Sequence, residues 1–234
     1  MTHEPAFPDH PIWIDTCLIA FNKPAGLLTI PDGYNPGLPC LRRWVEQEYG
    51  PVWVVHRLDK ETSGIILFAR TADAHRILNR QFEARQTHKE YHLLVHGNPA
   101  WSHQENAAPL KPNGDRRHRT IIHQTHGRPA RTDFSVISRY KEGYTLLSAR
   151  PHSGYTHQIR AHSAHLGFPI VNDRLYDPVR DRNVPSAHLE PLQRVGLHAL
   201  SLQITHPLDG RPLQLEANYP DDFSATLARL HPES

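Results

Sequence analysis

The chain has 234 residues, enough for one large domain, and its 38% hydrophobic and 21% charged residues are the balance of an ordinary globular protein. Its longest apolar run, Ile65–Ala69, falls far short of the roughly 20 residues that a membrane-spanning helix needs, and the opening MTHEPAFPDHPIW lacks the cationic and apolar regions of a secretion signal, so a cytoplasmic protein is expected. A formal charge of +2 is too small to name a partner, and the two cysteines, Cys17 and Cys40, form no C-x-x-C pair that would suggest a disulfide scaffold or a zinc site.

Local structure reads in order along the chain. Leu18–Asn22 is extended and runs into a turn at Lys23–Gly26, and Leu41–Tyr49 suits a short helix. Val52–Val55 and Ile65–Ala69 read as buried strands. Thr71 can cap a helix whose apolar face is Ala74, Ile77, Leu78 and Phe82, with Arg76 and Arg80 on another face. Tyr91–Val95 reads as a strand ending at Gly97, and further strands are expected around Thr120–His123, Phe134–Arg139, Tyr144–Ser148, Val195–Ile204 and Leu213–Glu216. Thr156–Leu166 suits a helix closed by Gly167, and the last 14 or so residues a loose terminal one. Strands outnumber helices without a regular βαβ alternation. The expected class is α+β, with a mixed, largely antiparallel central sheet and flanking helices.

The richest chemistry lies between the two buried strands, in His56-Arg57-Leu58-Asp59-Lys60-Glu61-Thr62-Ser63-Gly64. A loop placed on rigid strands often holds reactive groups, and this one sets a carboxylate between cations. By composition alone it is a polar turn in which Asp59 pairs with Arg57 or Lys60. As a whole, however, it closely resembles the active-site motif of the RluA-like family of RNA pseudouridine synthases. The resemblance continues through Phe21-Asn22-Lys23-Pro24-Ala25-Gly26-Leu27-Leu28, Lys89-Glu90-Tyr91, and Gly154 through His162, then Leu166-Gly167-Phe168-Pro169-Ile170. Asp173, Tyr176, Leu197-His198-Ala199 and His206-Pro207 complete it. Roughly residues 15–215 are covered, in family order.

The resemblance implies isomerisation of uridine to pseudouridine in a ribosomal or transfer RNA, on the pseudouridine synthase fold with its catalytic cleft. It implies a lead-in at residues 1–14, a catalytic domain at 15–217 and a tail at 218–234. It makes Asp59 the catalytic carboxylate, which could attack the anomeric carbon, attack base carbon 6, or stabilise charge and move a proton on a glycal route. A carboxylate attacks only when ionised. Burial beside a flipped base would raise its pKa, and the family pattern assigns the opposing cation to Arg160. Tyr91 would be the active-site tyrosine, pointing the same way as Leu93 and Val95, and Leu197 would exclude water from beneath the site. Arg57 would take part in flipping the base, and His56, Thr62, His157 and Gln158 would contact substrate. No cofactor and no metal are expected, and a monomer is the default.

RNA also needs local positive charge. Residues 70–89 carry five cations against two carboxylates, and residues 111–119 carry Lys111, Arg116, Arg117 and Arg119 against Asp115 alone. With Pro112-Asn113-Gly114, the second run reads as a mobile basic finger between strands. The chain departs from the family at Tyr155, where arginine is usual, at Asn172, where glycine is common, and at Glu61, where aspartate is usual. About 14 residues precede the shared region in this sequence, so the small N-terminal RNA-binding domain that many relatives carry is not expected within it. The alternatives are a catalytically silent RNA-binding module on the same fold, a metal hydrolase on His157, His162 and His165, and a serine hydrolase on Ser63. The histidine spacing is not H-E-x-x-H, and no G-x-S-x-G surrounds Ser63.

Overall fold

The computed structural model describes residues 6–177 and 189–233. Residues 1–5 of the expected lead-in and residue 234 of the expected tail lie outside them. The chain forms two compact units, residues 1–89 with 199–218, and residues 90–198 with 219–234. The α+β class and the largely antiparallel pairing are as expected.

The first unit is built on β1 (Trp13–Ile14), β2 (Leu18–Lys23), β3 (Trp53–Val54) and β4 (Ser63–Ala69), with helices α1 (Leu41–Tyr49) and α2 (Ala72–Glu83). Both β2 and β3 pair antiparallel with β4. Every residue of β4 is buried, which is why this stretch reads as apolar on both faces. Trp44 and Tyr49 of α1 pack edge-on against Phe21 of β2. The α2 helix starts where the sequence predicts, with Thr71 Oγ1 accepting the Ala74 N–H at 3.1 Å. Residues 199–205 of β11 (Leu197–Thr205) continue this unit and pair with β12 (Pro212–Glu216). At Gly64, φ is +118° and an added Cβ would lie 2.1 Å from the Ala199 carbonyl oxygen, so the glycine that ends the motif is the residue that lets β11 come close.

The second unit holds β5 (His88–His96), β6 (His103–Asn106), β7 (Leu110–Lys111), β8 (Ile121–Ile122), β9 (Thr132–Tyr140), β10 (Tyr144–Pro151), α3 (Gln158–His165) and α4 (Asp221–Arg229). Its sheet runs β5-β10-β9-β6, and β7–β8 forms a separate hairpin. Strand alternation sorts the core into two faces: Leu93, Val95, Leu147, Ala149, Ile159 and Leu197 form one cluster, while Leu94, Leu146, Tyr140 and Tyr144 join another. The terminal helix is not loose. Phe223 and Leu230 enter the second cluster, and Asp222 forms a two-point ion pair with Arg194. The α3 helix begins at Gln158 rather than Thr156, because His157 has left-handed backbone, φ +56°. The sequence gives no hint of β6: His-Gln-Glu-Asn has no apolar alternation, and the strand exists by pairing with β9.

Candidate active site

Asp59 lies in the first unit on the loop between β3 and β4, partly exposed, and its two neighbours are tied down. On one side, Thr29 Oγ1 donates to the Leu58 carbonyl at 3.0 Å and lies 3.2 Å from the Leu58 N–H. On the other, the Lys60 carbonyl accepts from the Gly26 N–H at 2.8 Å and from Lys23 Nζ at 3.2 Å. Lys23 is fully buried at the end of β2, and its ammonium also donates to the carbonyls of Pro24 and Leu27. A buried ammonium demands such acceptors; here it knots the Lys23–Leu27 turn to the Asp59 loop. The Thr62 N–H closes the loop on the Asp59 carbonyl at 3.1 Å. The carboxylate therefore rides on a backbone held from both sides.

The other motif residues divide between exposed and buried. Arg57 is exposed and Thr62 is buried. His56 Nε2 accepts the Leu67 N–H at 3.0 Å, and its ring stacks on Phe82 with centroids 5.1 Å apart. Burial, aided by the Lys89 charge, pulls its pKa down to about 3, so the ring is neutral. The structure thus gives His56 a place in the scaffold joining β4 to α2.

Tyr91, Arg160 and Leu197 lie in the second unit. Tyr91 is half-buried on β5, on the same face as Leu93 and Val95, packed against the cluster that includes Leu197 and Ile159. Arg160 is only 5% exposed, and Asp173, at 0%, grips it bidentately: Nε donates to Oδ2 at 2.7 Å and Nη2 to Oδ1 at 2.8 Å. The guanidinium also lies over the Tyr176 ring, 5.2 Å from its centroid. Tyr176 Oη in turn accepts the Thr120 N–H at 2.8 Å, donates to the Thr120 carbonyl at 3.1 Å, and lies 3.2 Å from His157 Nδ1. Sequence reasoning gave Asp173 and Tyr176 no role. Asking what balances an arginine on a buried helix face would have pointed to Asp173.

Gln158 is buried and its amide is engaged inward, Nε2 donating to the Arg131 carbonyl and Thr132 Oγ1, and Oε1 accepting from Ser153 Oγ. It braces the start of α3. The three clustered histidines do not converge as metal ligands would: His157 meets Tyr176, His162 meets Thr132 and the Ala108 carbonyl, and His165 meets Asn106. Asp15, Cys17 and His206 do bring ligand atoms within 4.8 Å of one another. That carboxylate already accepts from the Cys17 and Leu18 N–H groups, Trp13 and His206. Burial, with Asp15 beside it, pushes the Cys17 thiol up to about 12, which opposes thiolate ligation. The cluster is better described as a hydrogen-bonded clasp between two turns.

The basic finger is the β7–β8 hairpin, and its loop is ordered around Asp115 rather than loose. Asp115 Oδ1 accepts the N–H groups of Arg117 and Arg119, and Oδ2 accepts Arg119 Nε at 2.6 Å. These bonds, led by those from Arg119, hold its carboxyl below the usual range. Lys111 is half-buried, Arg119 is tied to Asp115, and Arg116 and Arg117 are exposed.

A buried lysine at the end of β2, a buried arginine in α3, an anchored carboxylate loop and a tyrosine on an apolar sheet face fit the family that the motifs suggested. A family model for RNA pseudouridylate synthase matches residues 17–165, and the chain belongs to this family of RNA-modifying enzymes. Among curated relatives, it is 36% identical to the dual-specificity RNA pseudouridine synthase RluA of Pasteurella multocida, over 87% of this chain and 90% of that one. It is 34% identical to ribosomal large subunit pseudouridine synthase D of Xylella fastidiosa, over 95% of this chain and 70% of that one. The solved structure of human RNA pseudouridylate synthase domain containing 4 shares the fold, with a TM-score of 0.76 at 24% identity, covering 96% of this chain and 94% of that one. The catalytically silent alternative is not favoured by this company of enzymes.

Proposed function

We propose that this enzyme isomerises uridine in a structured ribosomal or transfer RNA, with Asp59 as its catalytic carboxylate. The reaction breaks the bond from the anomeric carbon to N1, rotates the uracil, and forms a bond to C5. The C5 proton leaves and N1 gains one, so atoms and electrons balance without a cofactor. In this reading Arg160 favours the ionised carboxylate, Tyr91 stacks on the uracil and meets the moving proton, and Leu197 keeps water out. Arg57, exposed beside Asp59, fills the space left by the flipped base. Lys111, Arg116 and Arg117 bind phosphates, on a loop that Arg119 braces. His56, Thr62, His157 and Gln158 contribute by shaping the walls that the first group works from, which agrees with their buried or engaged side chains.

The observation that carries this reading is the anchoring of Asp59 between Leu58 and Lys60, in an enzyme of this family. A reactive group must be held to a fraction of an ångström, and backbone clamps on both sides do that. The test is Asp59→Asn, assayed by pseudouridine mapping across total RNA from cells carrying either version. Product should vanish while RNA affinity stays within about tenfold, or roughly 1.4 kcal/mol. Conversion by Asp59→Ala at the wild-type rate would remove the assignment.

A further inference from the structure

Beside the finger, the second unit has a groove of about 800 Å³ that the catalytic assignment does not use. The β7–β8 hairpin forms one side, and α3 with residues 174–177 forms the other. Its walls have two characters. Ile121, Ile122 and Leu175 offer apolar surface, while Arg117, Arg174 and His165 are exposed around it.

The cations are not equivalent. Arg119 is a strut: Nε is spent on Asp115 and Nη1 on the Leu175 carbonyl at 3.1 Å. Arg117 gives one bond, from Nη2 to the Arg174 carbonyl at 3.2 Å, which ties its guanidinium to the backbone of Arg174 across the groove. Among the described residues, the Arg174 guanidinium makes no hydrogen bond or ion pair. The groove's carboxylate, Asp177, has a side chain only 4% exposed, with Oδ2 3.3 Å from His96 Nε2. Positive charge therefore faces solvent and the negative charge is turned in.

An anion with a flat apolar body matches this pairing of charged rim and apolar wall, and a nucleotide is such a body. The volume lies within the roughly 300–1,000 Å³ of small-ligand sites, room for about one or two nucleotides. Tyr176 links the groove to the chemistry, since it lines the groove and also underlies Arg160 at 5.2 Å.

We propose that this groove seats a nucleotide flanking the target uridine, with its phosphate on Arg117 and Arg174 and its base against Ile121, Ile122 and Leu175. The proposal rests on the reading that RNA is the substrate, and it names Arg174 as a positioning residue for that substrate. The experiment titrates the full-length enzyme with labelled bulk transfer RNA and ribosomal RNA across a range of KCl, for wild type, Arg174→Ala and Arg174→Glu. Because Arg174 is exposed, both variants should fold, and their thermal transitions provide the check. Arg174→Ala should weaken binding about tenfold and lower the salt slope by about one, and Arg174→Glu should weaken it further. The loss should fall on Kd and KM more than on the single-turnover rate at saturating RNA. Unchanged Kd and slope, with pseudouridine still formed, would overturn the groove and leave the enzyme reading intact. Equal competition for the groove by polyglutamate and by RNA would show a general anion surface and overturn the nucleotide assignment. A wild-type enzyme that forms no pseudouridine in either RNA would instead defeat the reading on which the proposal rests.

Discussion

Removal of Asp173 tests whether Arg160, the arginine proposed for the site, is held by the interior of the second unit. Arg160 and Asp173 are almost wholly out of water, and their two charge-assisted bonds measure 2.7 and 2.8 Å. The carboxylate has a second job, since Oδ1 also accepts the N–H groups of Leu175 and Tyr176. Truncation in Asp173→Ala takes both of these charge-assisted bonds from a buried guanidinium, a change that costs about 3–5 kcal/mol. Asp173→Asn keeps the shape and an acceptor for the backbone but loses the charge and one strong bond, so about 2–3 kcal/mol is expected. For a chain of this size each 1 kcal/mol shifts Tm by about 2–4 °C, so Asp173→Ala should melt roughly 6–20 °C lower. Urea and thermal unfolding followed by circular dichroism measure both. Replacement of the two residues together by leucine should be milder than Asp173→Ala, because it removes the buried guanidinium along with its carboxylate. A cost below about 1 kcal/mol for Asp173→Ala would refute the reasoning.

Two further outcomes follow from the same structure. His56 is neutral when folded, with its pKa near 3, while an unfolded histidine titrates near 6.5. The unfolded chain therefore binds the extra proton as pH falls below about 6.5, and stability drops by up to about 1.4 kcal/mol per pH unit towards pH 3; His56→Gln should flatten this part of the stability profile, and an identical acid slope in the variant would count against it. At Gly64, Gly64→Ala must place a Cβ against the Ala199 backbone at φ +118°, and a loss of more than about 3 kcal/mol is expected. A wild-type Tm for Gly64→Ala would show that the strands separate at little cost.

Most of the fold was legible because its elements are locally consistent. Leu41–Tyr49, the Thr71 cap and the buried run Ile65–Ala69 all follow from periodicity and capping. The HRLDKETSG motif was legible as a loop carried between two strands, and strand alternation gave the orientation of Tyr91. What stayed hidden depends on partners far along the chain. Lys23 reads as a turn lysine, yet its ammonium is buried under carbonyls that include Lys60. Gln158 reads as a polar residue free for substrate, yet residues 131 and 132 consume its amide. Asp115 reads as one negative charge in a basic run, yet it organises the loop that displays the others.

The placement of charge separates groups fixed by the interior from groups at the surface. Lys23, Arg160 and Asp173 are buried, and each change there carries the price of an unsatisfied interior charge, so their geometry is fixed by stability. Arg57, Arg116, Arg117 and Arg174 are exposed, where a substitution is usually worth within about 0.5 kcal/mol to folding. Substitutions in the second set can accumulate without disturbing the first. Within the second unit Tyr176 connects the two sets, since it bonds Thr120 at the base of the finger and underlies Arg160.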